Sequence, residues 1–140
     1  MCKGASLANP KDLLAAGVLQ HVLGAAPSYV KWGSNAAAAR LSKAAASAVD
    51  SPFMVTALNL SYSDNGLFGM YTVSNGSATG KLLRAVTKEF SEVARGSVSD
   101  ADLSRAKSQL KASYLMNLET QPCLTEDIGC LLYTSPSPRD

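Results

Sequence analysis

A single histidine, His21, limits the chemistry open to this chain. A hydrolytic zinc site needs at least two imidazoles, or an imidazole set with carboxylates, spaced so that their lone pairs converge on one ion. His21 follows Gln20 in a stretch whose apolar residues are Leu14, Val18 and Val22, and no acidic residue lies one helical turn away on either side. It reads as a hydrogen-bonded structural residue. A Ser-His-Asp or Cys-His device would have to recruit His21 to a distant nucleophile, and no G-x-S-x-G elbow marks one. Residues 76–81, GSATGK, place Gly and Lys at a helix start, where backbone N–H groups could cradle an anion. A phosphate loop, however, needs four residues between its first Gly and the Gly-Lys pair, where this chain has three, and a hydroxyl residue after the Lys, where it has Leu82. The carboxylates Asp100, Asp102, Glu119, Glu126 and Asp127 form no pair in apolar surroundings, so acid–base work is not indicated. Three cysteines, Cys2, Cys123 and Cys130, are an odd number without C-x-x-C spacing, and they read as reduced thiols. No catalytic, metal or cofactor set is read anywhere in the sequence. The residues that could still do something are aromatic: Tyr29, Trp32 and Tyr62, in turn-rich stretches, are candidate partner contacts.

The elements that would carry these residues form one domain. The 140 residues have 46% hydrophobic and 17% charged composition, enough for one core, and a net charge of +2 gives no basic excess for nucleic acid. Much of the apolar fraction is alanine, which buries little surface, so the core is expected to be thin. Charged residues interrupt every apolar run before the roughly 20 residues that span a bilayer. Residues 1–10 show neither an apolar signal core nor an Arg-rich amphipathic presequence.

Asn9 and Pro10 start a helix that runs to Leu23, with Leu14, Val18, Leu19, Val22 and Leu23 as its buried stripe and Gly24 as its stop. Residues 24–34 read as an ordered loop. The alanine-rich run 35–49 is a second helix, with Leu41, Ala45 and Ala48 on one side. Ser51 and Pro52 end it. A β-hairpin follows, turning at residues 63–66, where Asn65 and Gly66 tolerate positive φ. Phe53, Val55, Ala57, Phe68, Met70 and Thr72 show an incomplete alternation, so one face is expected to lie under helices. Ser77 caps a third helix to Arg95, with Leu82, Leu83, Val86, Phe90 and Val93 inward, Glu89 outward and Gly96 as the stop. Ser99 caps a fourth to Glu119, with Leu103, Ala106, Leu110, Tyr114 and Leu118 inward and Arg105 off that stripe. From Cys130 on, the Ser-Pro steps of CLLYTSPSPRD cannot continue a helix, so 130–140 is expected to be a non-native or disordered tail.

Three runs, VLQHVLGAAPSYVKWGSN, LNLSYSDNGLFGMYTVS and AKSQLKASYLMNLE, resemble the mitochondrial processing peptidases and their pitrilysin-type relatives. The resemblance implies an α+β fold, an antiparallel sheet covered by helices, with residues 5–129 forming an incomplete part of the family's C-terminal domain. Active members carry an H-x-x-E-H zinc motif in their N-terminal domain, which a chain with one histidine cannot contain. No catalytic residue is therefore carried over. The resemblance further implies a non-catalytic core subunit of respiratory complex III, in a hetero-oligomer with the first core protein and other subunits. Such a subunit lies on the matrix side of the mitochondrial inner membrane without spanning it. The alternative is a fragment of a processing peptidase subunit, suggested by MNLETQPCLTEDIG.

Overall fold

The computed structural model describes residues 2–25, 28–30 and 39–134. In chain order the elements are β1 (Cys2–Gly4), α1 (Pro10–Leu23), β2 (Ser28–Val30), α2 (Arg40–Ala48), β3 (Phe53–Ser61), β4 (Gly66–Ser74), α3 (Thr79–Ala94), α4 (Asp100–Leu118) and α5 (Gln121–Thr134). The four strands form one antiparallel sheet in the order β1-β4-β3-β2. Its centre is the expected hairpin, nine residues on each arm, paired from Phe53↔Ser74 to Ser61↔Gly66. The two outer strands have only three residues each, too short to show a period of two, and residues 28–30 are strand rather than loop.

The pleat places Phe53, Val55 and Ala57 on the same face as Phe68, and this face is buried under α2 and α3. Leu41, Ala45 and Val49 come from the α2 side, Leu82, Val86 and Val93 from α3, and Leu23 from the end of α1. Alanine-rich α2 lets α3 approach closely, which accounts for a core built from few large side chains.

Several expected details differ. Neither Asn65 nor Gly66 has positive φ. The hairpin end is closed instead by Tyr62 N–H donating to the Asn65 carbonyl at 2.7 Å. The third helix starts from Ala78, not from a Ser77 cap, and the Ala78 N–H and Thr79 hydroxyl both donate to the Asn75 carbonyl. Asn9 precedes α1 as expected, but its side-chain amide donates to Asp12 Oδ2 and its Oδ1 accepts from no N–H of the first turn. Gly24 does end that helix, with φ 134, and a Cβ there would lie 2.9 Å from the Ala39 Cβ. Ser99 is a true cap: its hydroxyl oxygen accepts from the Asp102 N–H at 3.1 Å and its O–H donates to Asp102 Oδ2. Removing this reciprocal cap with Ser99→Ala is expected to lower stability by about 1 kcal/mol, read as a reduced urea midpoint at unchanged slope.

The helical stripes are also shorter than their sequence periods. Leu14, Leu83 and Tyr114 are exposed, against the inward positions their spacing assigns them. Contact geometry explains this. Helix α1 meets the core through its last turn, Val22 and Leu23, while α4 crosses it near Gly17, where a Cβ would touch Leu110 at 3.6 Å. Beyond that crossing α4 has no comparable cover, and Tyr114, Leu115 and Met116 stand in solvent. Helix α5 continues past Gly129 through Cys130 to Thr134, so the helix outruns the point at which the Ser-Pro segment is expected to stop it. The residue that Pro136 restricts is its immediate predecessor, Ser135, which leaves Leu131 to Thr134 free to be helical. Residues 135–140 lie outside the described residues.

Candidate functional site: unpartnered surfaces

His21 behaves as its surroundings predict. Its Nδ1–H donates to the Gly17 carbonyl at 2.9 Å, one turn back on its own helix, and a carbonyl can only accept. Among the described residues no group of His, Cys, Asp and Glu is placed to hold a metal ion. Gly76 and Gly80 face open space at the start of α3, where a Cβ at either position would meet nothing within 4 Å. Cys2, Cys123 and Cys130 are exposed, and the Cys2 thiol donates to the Phe68 carbonyl, tying β1 to β4.

An open cleft of about 560 Å³ lies between α2, the end of α3 and the start of α4. Arg40, Lys43, Glu89, Ser97 and Asp102 line it. Arg40 spends its guanidinium internally: Nε donates to Glu89 Oε1 at 2.6 Å and Nη1 to the Ser97 carbonyl. Glu89, expected outward, is only 17% exposed for this reason. Arg105, expected off the buried stripe, is likewise half-buried and bonds Asp102 at 2.8 Å. The cleft is thus a strut joining α2, α3 and the α3–α4 connection. A double-mutant cycle with Arg40→Met and Glu89→Gln is expected to give a coupling of about 1–2 kcal/mol that persists in molar salt, because both groups are mostly shielded from ions.

Among the described residues, two exposed surfaces are apolar. The sheet face opposite the helices carries Leu60, Leu67, Tyr71 and Val73, each between 42% and 50% exposed, in a contiguous patch around the half-buried Met54 and Leu58. A second apolar surface runs along α4 and α5 through Leu115, Met116, Leu124, Ile128 and Leu132. Soluble single domains seldom expose patches of this kind, and such patches mark places where other protein surfaces pack. The sequence signal for the first patch is the incomplete alternation in β3 and β4. Strands apolar on both sides belong to sheets covered on both faces.

The two described aromatic candidates, Tyr29 and Tyr62, do not converge. Tyr62 stands 52% exposed at the hairpin end, its carbonyl accepting from Leu7 N–H at 2.9 Å. The Tyr29 backbone pairs with Met54 in the outer strand β2, eight residues back along β3, which is about 27 Å at 3.4 Å per residue. Trp32 lies outside the described residues.

The fold and these surfaces define an α+β domain built on a helix-covered antiparallel sheet. The chain belongs to the peptidase M16 family: the model of the peptidase M16 inactive domain matches residues 2–110. It is similar to the human mitochondrial cytochrome b-c1 complex subunit 2, with 44% identity over 124 residues, 89% of this chain and 27% of that protein. A probable mitochondrial-processing peptidase subunit beta from Arabidopsis thaliana is 35% identical over 94% of this chain and 24% of its own length. The chain thus spans about a quarter of the curated relatives it matches. Among solved structures, a chain of complex III2 from Candida albicans superposes with a TM-score of 0.70 at 22% identity, covering 90% of this chain and 30% of that one, and shares the fold.

Proposed function

We propose that this chain is part of the C-terminal domain of a non-catalytic core subunit of respiratory complex III, on the matrix side of the mitochondrial inner membrane. The observation that carries the proposal is the 44% identity to a cytochrome b-c1 complex subunit 2 across 89% of the chain, against 35% and 33% for processing peptidase subunits over similar lengths. Physical support comes from the two bare apolar surfaces, the opposite face of the sheet and the α4–α5 flank. A structural subunit needs such faces to join its own other domain and its neighbours in a hetero-oligomer, and a small soluble enzyme does not. The first core protein is the proposed partner, with Tyr62, Tyr29 and Trp32 as proposed contacts. No helix among the described residues is long and apolar enough to cross a membrane. The tail from Cys130 on is proposed to lie outside the native domain.

The test is affinity purification of the tagged full-length polypeptide from detergent-solubilised mitochondria. Co-purification with cytochrome c1 in stoichiometric amount is expected. Recovery with presequence-cleaving activity and without cytochrome c1 would assign it to a processing peptidase.

A further inference from the structure

Two asparagines in the chain precede glycine, in the steps Asn65-Gly66 and Asn75-Gly76. The others precede Pro10, which has no N–H, or Ala36, Leu60 and Leu118, whose side chains shield the nitrogen that follows Asn. An Asn-Gly step carries chemistry of its own, because the unhindered glycine nitrogen can attack the asparagine side-chain amide. By sequence the two steps are equivalent. The fold separates them.

Asn65-Gly66 is locked into the sheet. Gly66 is buried in β4, paired with Ser61 of β3 on one side and with Gly4 of β1 on the other, and the Asn65 carbonyl accepts from the Tyr62 N–H at 2.7 Å. Ring closure needs the Asn65–Gly66 peptide to swing towards the Asn65 side chain and the Gly66 proton to reach a base in solvent. Both require β1 to lift and the hairpin end to open. Asn75-Gly76 lies instead in the turn between β4 and α3, where Asn75, Gly76 and Ser77 are all exposed. A Cβ on Gly76 would meet nothing within 4 Å. The Asn75 carbonyl accepts from the Ala78 N–H at 2.9 Å and from the Thr79 hydroxyl at 3.1 Å. These bonds sit at the first turn of a helix and open by fraying of that end alone.

We propose that Asn75 is a site of spontaneous conversion to aspartate and isoaspartate in the folded protein, and that the sheet holds the same reaction back at Asn65. The Gly76 nitrogen loses its proton to solvent and bonds to Asn75 Cγ, the Cγ–Nδ2 bond breaks, and the nitrogen leaves as ammonia after taking a proton from solvent. The cyclic imide then consumes one water. Opening at Cγ leaves aspartate, and opening at the main-chain carbonyl leaves isoaspartate, with no change of oxidation state in either case. Each product adds one negative charge ahead of α3. Isoaspartate also inserts a methylene into the main chain between β4 and α3, at the carbonyl that receives Ala78 and Thr79. The proposal rests on the two turns and is independent of the complex III reading.

The test incubates the full-length polypeptide at neutral pH, folded and in urea, for the time in which the urea-unfolded chain is half converted at position 75. Cleavage after Tyr71 puts the two sites on separate peptides, and the product is read as the mass gain of an amide turned to an acid. In the folded protein, conversion at Asn75 is expected to exceed that at Asn65 by at least about tenfold, and in urea the two are expected to agree within about threefold. Gly76→Ala is expected to slow conversion at position 75 by about tenfold or more, because a Cβ then shields the attacking nitrogen. Equal conversion at the two sites in the folded protein, or a preference for Asn75 that persists in urea, would show that the fold does not discriminate and would overturn the proposal. So would a folded protein left unconverted at Asn75, or a Gly76→Ala variant that converts at the unaltered rate.

Discussion

Gly66→Ala is expected to destabilise the domain by about 3 kcal/mol and to release β1 from the sheet. A Cβ at position 66 would lie 2.1 Å from the Ala5 carbonyl oxygen and 2.8 Å from the carbonyl carbons of Gly4 and Ala5. These are backbone atoms, so no rotamer change relieves the clash, and β1 has to move. Because β1 is held by only three residue pairs and the Cys2 thiol contact, lifting one end frees the whole strand. The measurement is a fall in urea midpoint together with loss of hydrogen-exchange protection at Cys2–Gly4. Gly76→Ala, where nothing lies within 4 Å, is the matched control and is expected to stay within about 0.5 kcal/mol. Equal effects at the two glycines would show that chain entropy, not β1 docking, sets the cost.

The second large effect separates two adjacent leucines. Leu82 is 1% exposed in the core under α3, whereas Leu83, its neighbour, is 52% exposed. Leu82→Ala removes three buried carbons from a site enclosed by α2, β3 and β4, and it is expected to cost about 3–4 kcal/mol, transfer and cavity contributions together. Leu83→Ala is expected to cost less than about 0.5 kcal/mol in the isolated domain. Thermal or urea unfolding of the two variants checks the helix phase directly. Similar losses at both positions would mean that the outer side of α3 is covered too.

The sequence made the local elements readable wherever a strong local signal existed. Asn9-Pro10 and Gly24 bound α1 at the residues observed, Ser99 caps α4, and the hairpin turns where SDNG predicts. What the sequence hid was tertiary. Gly66 reads as a turn residue that tolerates positive φ, yet it is required because β1 passes over it, and no local pattern announces a strand three residues long. Leu14, Leu83 and Tyr114 obey the helical period but find no partner in this domain, since periodicity gives a face and says nothing about how far the neighbouring element extends. The Arg40–Glu89 strut joins positions 49 apart, which spacing rules do not reach. The hydrogen bond that makes His21 structural is local, four residues back on its own helix, and so within reach of sequence reasoning. The candidate contacts were chosen as isolated aromatics in turns, whereas the broad apolar surface is made of ordinary Leu, Tyr and Val residues on strands whose two-sided apolar character was the available sign.

The central claim is that the full-length protein supports complex III and does not cleave presequences. Its most direct test is acute depletion of that protein in its own cells, followed by native gel electrophoresis for assembled complex III and by an import assay for precursor cleavage. The expected result is loss of assembled complex and of ubiquinol–cytochrome c reductase activity, with precursors still cleaved normally. Accumulation of uncleaved precursors before any loss of assembled complex would contradict the account and place the protein among the processing peptidases.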